Sequence, residues 1–193
     1  MSNKRVVVVH CWEGKPEYYW YQSVRKELES KGFKVDVPEM PETRTPHLST
    51  WLPMLKNTIG KPDVNLYLVG HSLGCITILR YLESLHKDER IGGTVLVAGF
   101  SEAIGYPEIE SFFTHPIDFD VIRAKSANGF VAIHSDNDKY VDLRHAAIFK
   151  GELGAKVIIM HNADHFTGSN VYAEKECKEL PEVVESILRL SGK

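Results

Sequence analysis

A three-layer α/β sandwich built on a parallel sheet is the fold class the sequence predicts. Three observations carry that expectation. Short β-branched runs alternate with longer stretches of helical period, the pattern of strand–helix–strand units with right-handed crossovers. Several runs are apolar on both faces, Val6 to Val9 and Val157 to Met160 among them, as strands covered on both sides are. The length, 193 residues, is that of one domain, and residues 1–193 are read as such.

The strands expected are Val6–Val9, Lys34–Val37, Leu66–Val69, Thr94–Ala98, Phe130–His134 and Lys156–Met160. Helices are expected between them. Tyr18–Ser30 carries Trp20, Val24 and Leu28 one turn apart and stops at Gly32, a residue suited to ending a helix. Leu48–Ile59 begins with Ser49 or Thr50 as a cap and stops at Gly60. Leu73–Leu85 is apolar along Ile76, Leu79 and Leu82, Leu143–Leu153 stops at Gly154, and Pro181–Leu190 opens on a proline, which a first helical turn tolerates. The stretch Phe100–Asn128 has no clear period. It is expected to be a small cap, a wall of a pocket, or short helices filling a crossover.

Composition excludes several classes. Hydrophobic residues are 43% and charged residues 25% of the chain, ordinary for a folded domain and unlike a disordered chain. With 23 Lys and Arg against 26 Asp and Glu, the basic balance of a nucleic-acid binder is missing. No apolar run approaches the roughly 18 residues that span a bilayer, so no membrane partner is expected. The run Val6–Val9 is too short for a secretory leader and is read as a strand. Three cysteines, Cys11, Cys75 and Cys177, fit no metal spacing, and reduced thiols in a cytoplasmic protein are expected.

The sharpest signal is Gly70-His71-Ser72-Leu73-Gly74, between the run Leu66–Val69 and the helix that opens near Leu73. A G-x-S-x-G at such a junction reads as a nucleophile elbow. The turn strains the serine backbone and needs small residues on either side. It presents Ser72 Oγ at the carboxyl end of the sheet, before the N–H groups of a helix start. Chance would supply the five letters in about one chain in fifteen of this length; the strand before and the helix after raise the odds. The plainer reading is that Ser72 merely caps a helix.

A serine hydroxyl needs a base to take its proton, and in this arrangement the partners follow in the order Ser, acid, His. Asp138 lies past Phe130–His134 and His165 past Lys156–Met160, both beyond strand carboxyl ends, where open α/β sheets bind ligands. Asp138 is taken as the acid, with Asp136 and Asp142 as alternatives, and His165 as the base. His161 sits closer to its strand and is read as structural. The second anion donor is expected from the loop after the first strand, His10-Cys11-Trp12-Glu13-Gly14, so the backbone N–H groups of Trp12 and Leu73 are taken as the oxyanion hole. His10 is expected to order that loop. The substrate pocket is expected to take in His10, Phe100, Phe112, Phe113 and Phe166. The cluster Tyr18–Tyr21 is read as core packing, and Cys75 as a buried small hydrophobe rather than a nucleophile.

These features together resemble the small α/β-hydrolases of the retinoblastoma-binding protein nine and YdeN type. The resemblance runs nearly end to end: the Val-rich strand ending at His10, the Trp20 helix, Val37-Pro38-Glu39-Met40-Pro41 followed by Trp51, Gly70 to Gly74, Val97-Ala98-Gly99-Phe100, Asp138 with Val141, and Asp164-His165-Phe166. It implies a shortened α/β-hydrolase fold, and Ser72, Asp138 and His165 as the catalytic Ser, Asp and His. It also implies serine hydrolase activity on small esters or amides. The chain departs from the family where Cys11 stands in place of a common Gly, beside the oxyanion hole. The family's Leu-x-Cys-x-Glu protein-binding motif is absent, since Thr77 occupies its last place.

The resulting expectation is a six-stranded, wholly parallel sheet in the order 2-1-3-4-5-6. On it sits a serine hydrolase that cleaves a small-molecule acyl substrate through an acyl-enzyme, with no cofactor and no metal. The alternatives are an acyltransferase, peptidase or lyase on the same three residues, and a non-catalytic interaction module on the same fold.

Overall fold

The computed structural model describes residues 4–167 and 176–193. Its sheet contains β1 (Arg5–Val9), β2 (Lys34–Asp36), β3 (Leu66–His71), β4 (Gly93–Val97), β5 (Phe130–Ser135) and β6 (Lys156–Met160). All pairings are parallel and the order is β2-β1-β3-β4-β5-β6, as the sequence led one to expect. The helices are α1 (Tyr21–Ser30), α2 (Leu48–Ile59), α3 (Leu73–Glu83), α4 (Phe119–Arg123), α5 (Arg144–Leu153) and α6 (Pro181–Ser191).

The period-two alternation of β1 divides the core in two. Val6 and Val8 pack with Trp20, Val24, Leu28, Val183 and Ile187, so α1 and α6 cover one face. Val7 and Val9 pack with Leu55, Ile76, Leu79, Ile122 and Phe149, so α2 to α5 cover the other. Both faces of β3 and β4 are therefore buried throughout, which is why these strands read as unbroken apolar runs.

Local chemistry corrects three of the expectations, and a fourth stretch takes the form of short helices in a crossover, one of the forms expected for it. Tyr19 has φ 52°, which breaks the helix expected from Tyr18, and α1 begins at Tyr21. His47, not Ser49 or Thr50, caps α2: its ring accepts from the Ser49 N–H at 3.3 Å. β6 was expected to be covered on both sides, but it is the sheet's edge and Ile159 is 46% exposed. The unpatterned stretch Phe100–Asn128 holds a 3-10 turn, Pro107–Phe113, followed by α4.

That stretch is fastened to α3 by the buried Arg80. Its guanidinium donates to the carbonyls of Phe112 and His115 and pairs with Glu83 at 2.7 Å. Glu83 in turn accepts from the Asp118 N–H at 2.8 Å. At the other end of α3, Gly74 lets the helix start lie directly on β1. A Cβ there would collide with the Val9 carbonyl.

Candidate active site

The sharp turn between β3 and α3 sets Ser72 at φ 53°, ψ −114°, a backbone state that non-glycine residues hold only when their surroundings enforce it. The Ser72 N–H donates to Val97 O on β4 and its carbonyl accepts from Cys75 N–H, both at 2.9 Å. Ser72 is thus pinned at the carboxyl end of the sheet, ahead of the first turn of α3, whose positive end favours negative charge.

Two loops beyond β5 and β6 face it. Asp138 Oδ2 accepts from His165 Nδ1 at 2.8 Å, and the two side chains are 2% and 10% exposed. Asp138 Oδ1 accepts the N–H groups of Tyr140 and Val141, at 2.9 and 3.1 Å. The carboxylate is therefore held by three hydrogen bonds and orients the imidazole with its Nδ1 protonated. Asp136 pairs with the exposed His161 at 2.6 Å instead. Asp142 caps the next turn through the Arg144 N–H. The backbone around His165 is unusual: Asn162, Asp164 and Phe166 all have positive φ.

Ser72 and His165 open on one cavity of about 380 Å3. Leu73, Phe100, Ile104, Ile109 and Tyr106 supply apolar walls, while Cys11, Trp12 and Glu13 form the rim of the β1 loop. The N–H groups of Trp12 and Leu73 donate to no acceptor among the described residues.

The β1 loop is held rigidly by His10. Met40 N–H donates to His10 Nε2 at 3.0 Å, so Nδ1 carries the proton and donates to Cys11 O at 2.8 Å. Burial keeps this imidazole's pKa below its ordinary value. Gly14 N–H donates to the same carbonyl. Cys11 C=O and Trp12 N–H belong to one trans peptide and point in opposite directions. Pinning the carbonyl on the buried side therefore turns the Trp12 N–H away from it.

Of the residues expected to wall the pocket, the structure brings Phe100 to the cavity and not the other four. His10 is fully buried behind the β1 loop, edge-on to Trp51. Phe112 packs on Trp51 in the core. Phe113 stacks on Phe100 at 5.8 Å, one layer behind the wall. Phe166 is buried on the other face of the sheet, with α1 and α6. Tyr19, Ile104, Tyr106, Ile109, Tyr140 and Thr167 were missed as lining residues. Four consecutive aromatics cannot all face one core, and that was the available signal for Tyr19. Cys75 is buried against Val97 O, and burial raises its thiol pKa. Burial likewise pushes the Cys11 thiol up to about 11, so neither is a ready thiolate.

A family model described as serine hydrolase matches residues 6–182. The chain belongs to the serine hydrolase family. As a serine hydrolase it is 30% identical over 164 residues to YdeN of Bacillus subtilis (strain 168), covering 84% of this chain and 86% of that protein. It is 27% identical over 172 residues to the serine hydrolase RBBP9 of Rattus norvegicus, covering 88% and 86%. In three dimensions it is similar to the crystal structure of the ydeN gene product of B. subtilis, with a TM-score of 0.87 and 26% identity, over 99% of this chain and 100% of that one. Among the described residues no helix is long and apolar enough to cross a membrane.

Proposed function

We propose that this serine hydrolase cleaves small carboxylic esters or amides with Ser72 as nucleophile, His165 as general base and acid, and Asp138 as the group that orients it. The carrying observation is the buried 2.8 Å hydrogen bond from His165 to Asp138, beside a strained Ser72 that opens on the same cavity. Ser72 Oγ adds to the acyl carbonyl while His165 Nε2 takes its proton. Asp138 steadies the imidazolium that forms. The N–H groups of Trp12 and Leu73 receive the charge that develops on the carbonyl oxygen; losing one such donor costs about 10²–10³ in rate. His165 returns the proton to the leaving alcohol or amine. Water then repeats the sequence on the acyl-enzyme and frees the acid. The apolar walls, Phe100, Ile104 and Ile109, support an uncharged acyl group of modest size.

Labelling with a fluorophosphonate, together with turnover of p-nitrophenyl acetate and butyrate, tests this. The expected result is labelling and turnover by the native chain, both lost in Ser72→Ala. Turnover that survives Ser72→Ala would remove Ser72 from the reaction, and folded native protein inert to both reagents would overturn the reading.

A further inference from the structure

Histidine stands between Gly70 and Ser72, and no step of the reaction just described employs it. It is fully buried, ringed by Tyr19, Trp20, Tyr21 and His165. Its Nδ1 lies 2.6 Å from Tyr21 Oη, and its Nε2 lies 2.8 Å from the backbone carbonyl of His165. The Tyr21 oxygen, also fully buried, accepts the Cys11 N–H at 3.2 Å.

The directions of these bonds can be deduced. Burial holds the His71 pKa well below its ordinary value, so the ring is neutral, with one donor nitrogen and one acceptor. A carbonyl only accepts. The proton is therefore on Nε2 and points at His165 O. Nδ1 is the bare nitrogen, so Tyr21 must donate its O–H to it, and Tyr21's oxygen is left to accept from Cys11. The chain runs one way: Cys11 N–H to Tyr21, Tyr21 O–H to His71, His71 Nε2–H to His165 O.

We infer that Tyr21 and His71 are positioning residues, forming a buried relay that fixes the β1 loop and the His165 loop relative to the Ser72 elbow. The inference rests on the Ser72–His165–Asp138 reading above. It extends that reading to two residues outside the cavity. Cys11 is then held at both ends, its N–H by Tyr21 and its carbonyl by His10 and Gly14. The Trp12 N–H, next along the chain, has no freedom to swing. At the far end, the His71 donor anchors the backbone of the residue whose side chain must take the Ser72 proton. Three loops that are distant in sequence are joined by three hydrogen bonds, and His71 is itself part of the elbow. Neutrality has a further use. The His71 and His165 ring centroids are 5.3 Å apart, and a cation at His71 would oppose the imidazolium that His165 becomes.

The test compares Tyr21→Phe, His71→Gln and His71→Leu with the native enzyme. Tyr21→Phe removes one hydroxyl and nothing else. The expected result is a fall in kcat of about 10- to 100-fold, as misplaced reacting groups show, with KM within about threefold and an equally slowed fluorophosphonate reaction. His71→Gln keeps a donor and an acceptor and should retain more kcat than His71→Leu. A purely structural role would lower the melting temperature and leave kcat per folded molecule unchanged. Folded Tyr21→Phe with kcat within twofold of native therefore overturns the relay. If that variant does not fold, nitrogen-15 shifts of the native histidines at pH 7 decide: a neutral His71 protonated on Nε2 supports it, and an Nδ1-protonated or charged ring overturns it. Native protein that neither labels nor turns over esters would fail the Ser72 reading itself, and the relay with it. An active native enzyme with an unaffected Tyr21→Phe would fail the relay alone.

Discussion

Asn137 and Asp164 are joined by two hydrogen bonds, Asn137 Nδ2 to Asp164 Oδ1 at 3.0 Å and Asp164 N–H to Asn137 Oδ1 at 2.9 Å. Each is the immediate neighbour of a residue in the proposed machinery, Asp138 and His165. Ser135 Oγ extends the clamp by donating to Asn137 Oδ1 and accepting the Ala163 N–H. The spacing of the acid and the base is therefore set by the residues before them. Asn137→Leu should lower kcat by about tenfold, since small displacements of reacting groups are costly, and destabilise the fold by about 1–3 kcal/mol by leaving polar groups unpaired. Steady-state kinetics with urea unfolding checks both, and an unchanged kcat in folded Asn137→Leu would show that the clamp is not needed.

The choice between acids can be decided by one pair of variants. Asp138 is 2% exposed at its side chain and bonded to His165, whereas Asp136 is 36% exposed and bonded to a histidine that is itself 81% exposed. Asp138→Asn should lower kcat by about 10³–10⁴, because an amide favours the wrong imidazole tautomer. Asp136→Asn should stay within about threefold of native. Equal losses in both would mean that the outer pair shares the work.

Arg80 carries the connection between α3 and the segment that walls the cavity. Its charge is buried with Glu83, which is 13% exposed at its side chain. Removing one partner of such a pair leaves the other uncompensated, a loss of about 3–5 kcal/mol. Arg80→Met should thus be strongly destabilising, and Arg80→Met/Glu83→Gln less so than Arg80→Met alone. In folded protein KM should rise more than kcat falls, because Ile109 lies on the segment and Phe113 backs Phe100. Denaturation midpoints of Arg80→Met, Glu83→Gln and the double variant, with ester kinetics on those that fold, measure this. A double variant as unstable as the sum of the singles would dismiss the pair.

How much of this could be read in advance follows from which interactions are local. The elbow is a five-residue motif whose strain and flanking glycines are written in consecutive positions, and Asp138 and His165 stand where strand ends place them. The parallel sheet and the two-sided burial of β3 and β4 follow from apolar runs and crossover rules, whereas the strand order rests on the resemblance to the small α/β-hydrolases, since many orders satisfy the same local patterns. The Tyr21–His71 relay depends on residues 50 positions apart whose types alone suggest only packing. The wall residues were misjudged because a fully apolar ring such as Phe112 or Phe166 gains more from complete burial than from lining an open cavity. His10 was assigned both to ordering and to the pocket. Its ring can do only the first, since both nitrogens are engaged by backbone on the buried side.

The buried histidines set an acid limit on stability. His134 on β5 is 1% exposed, and burial, aided by the neighbouring His145, brings its pKa down to about 4. Burial also lowers His10, His71 and His145. Neither ring nitrogen of His145 has a hydrogen-bond partner among the described residues. Asp138 and His165 are the other titratable groups whose charge His134 senses. A base whose pKa is lower when folded binds its proton more readily in the unfolded chain. Its contribution is therefore present above the unfolded value, near 6.5, and is lost as pH falls toward the folded value. For His134 alone, going from pH 7 to pH 5 should cost about 2 kcal/mol. His134→Phe, which keeps a ring beside Phe149 and cannot titrate, should remove that part of the acid sensitivity. Urea unfolding of both proteins at the two pH values is the measurement. A native chain equally stable at both, or a variant with the same pH difference as the native chain, would show that His134 is not the group responsible.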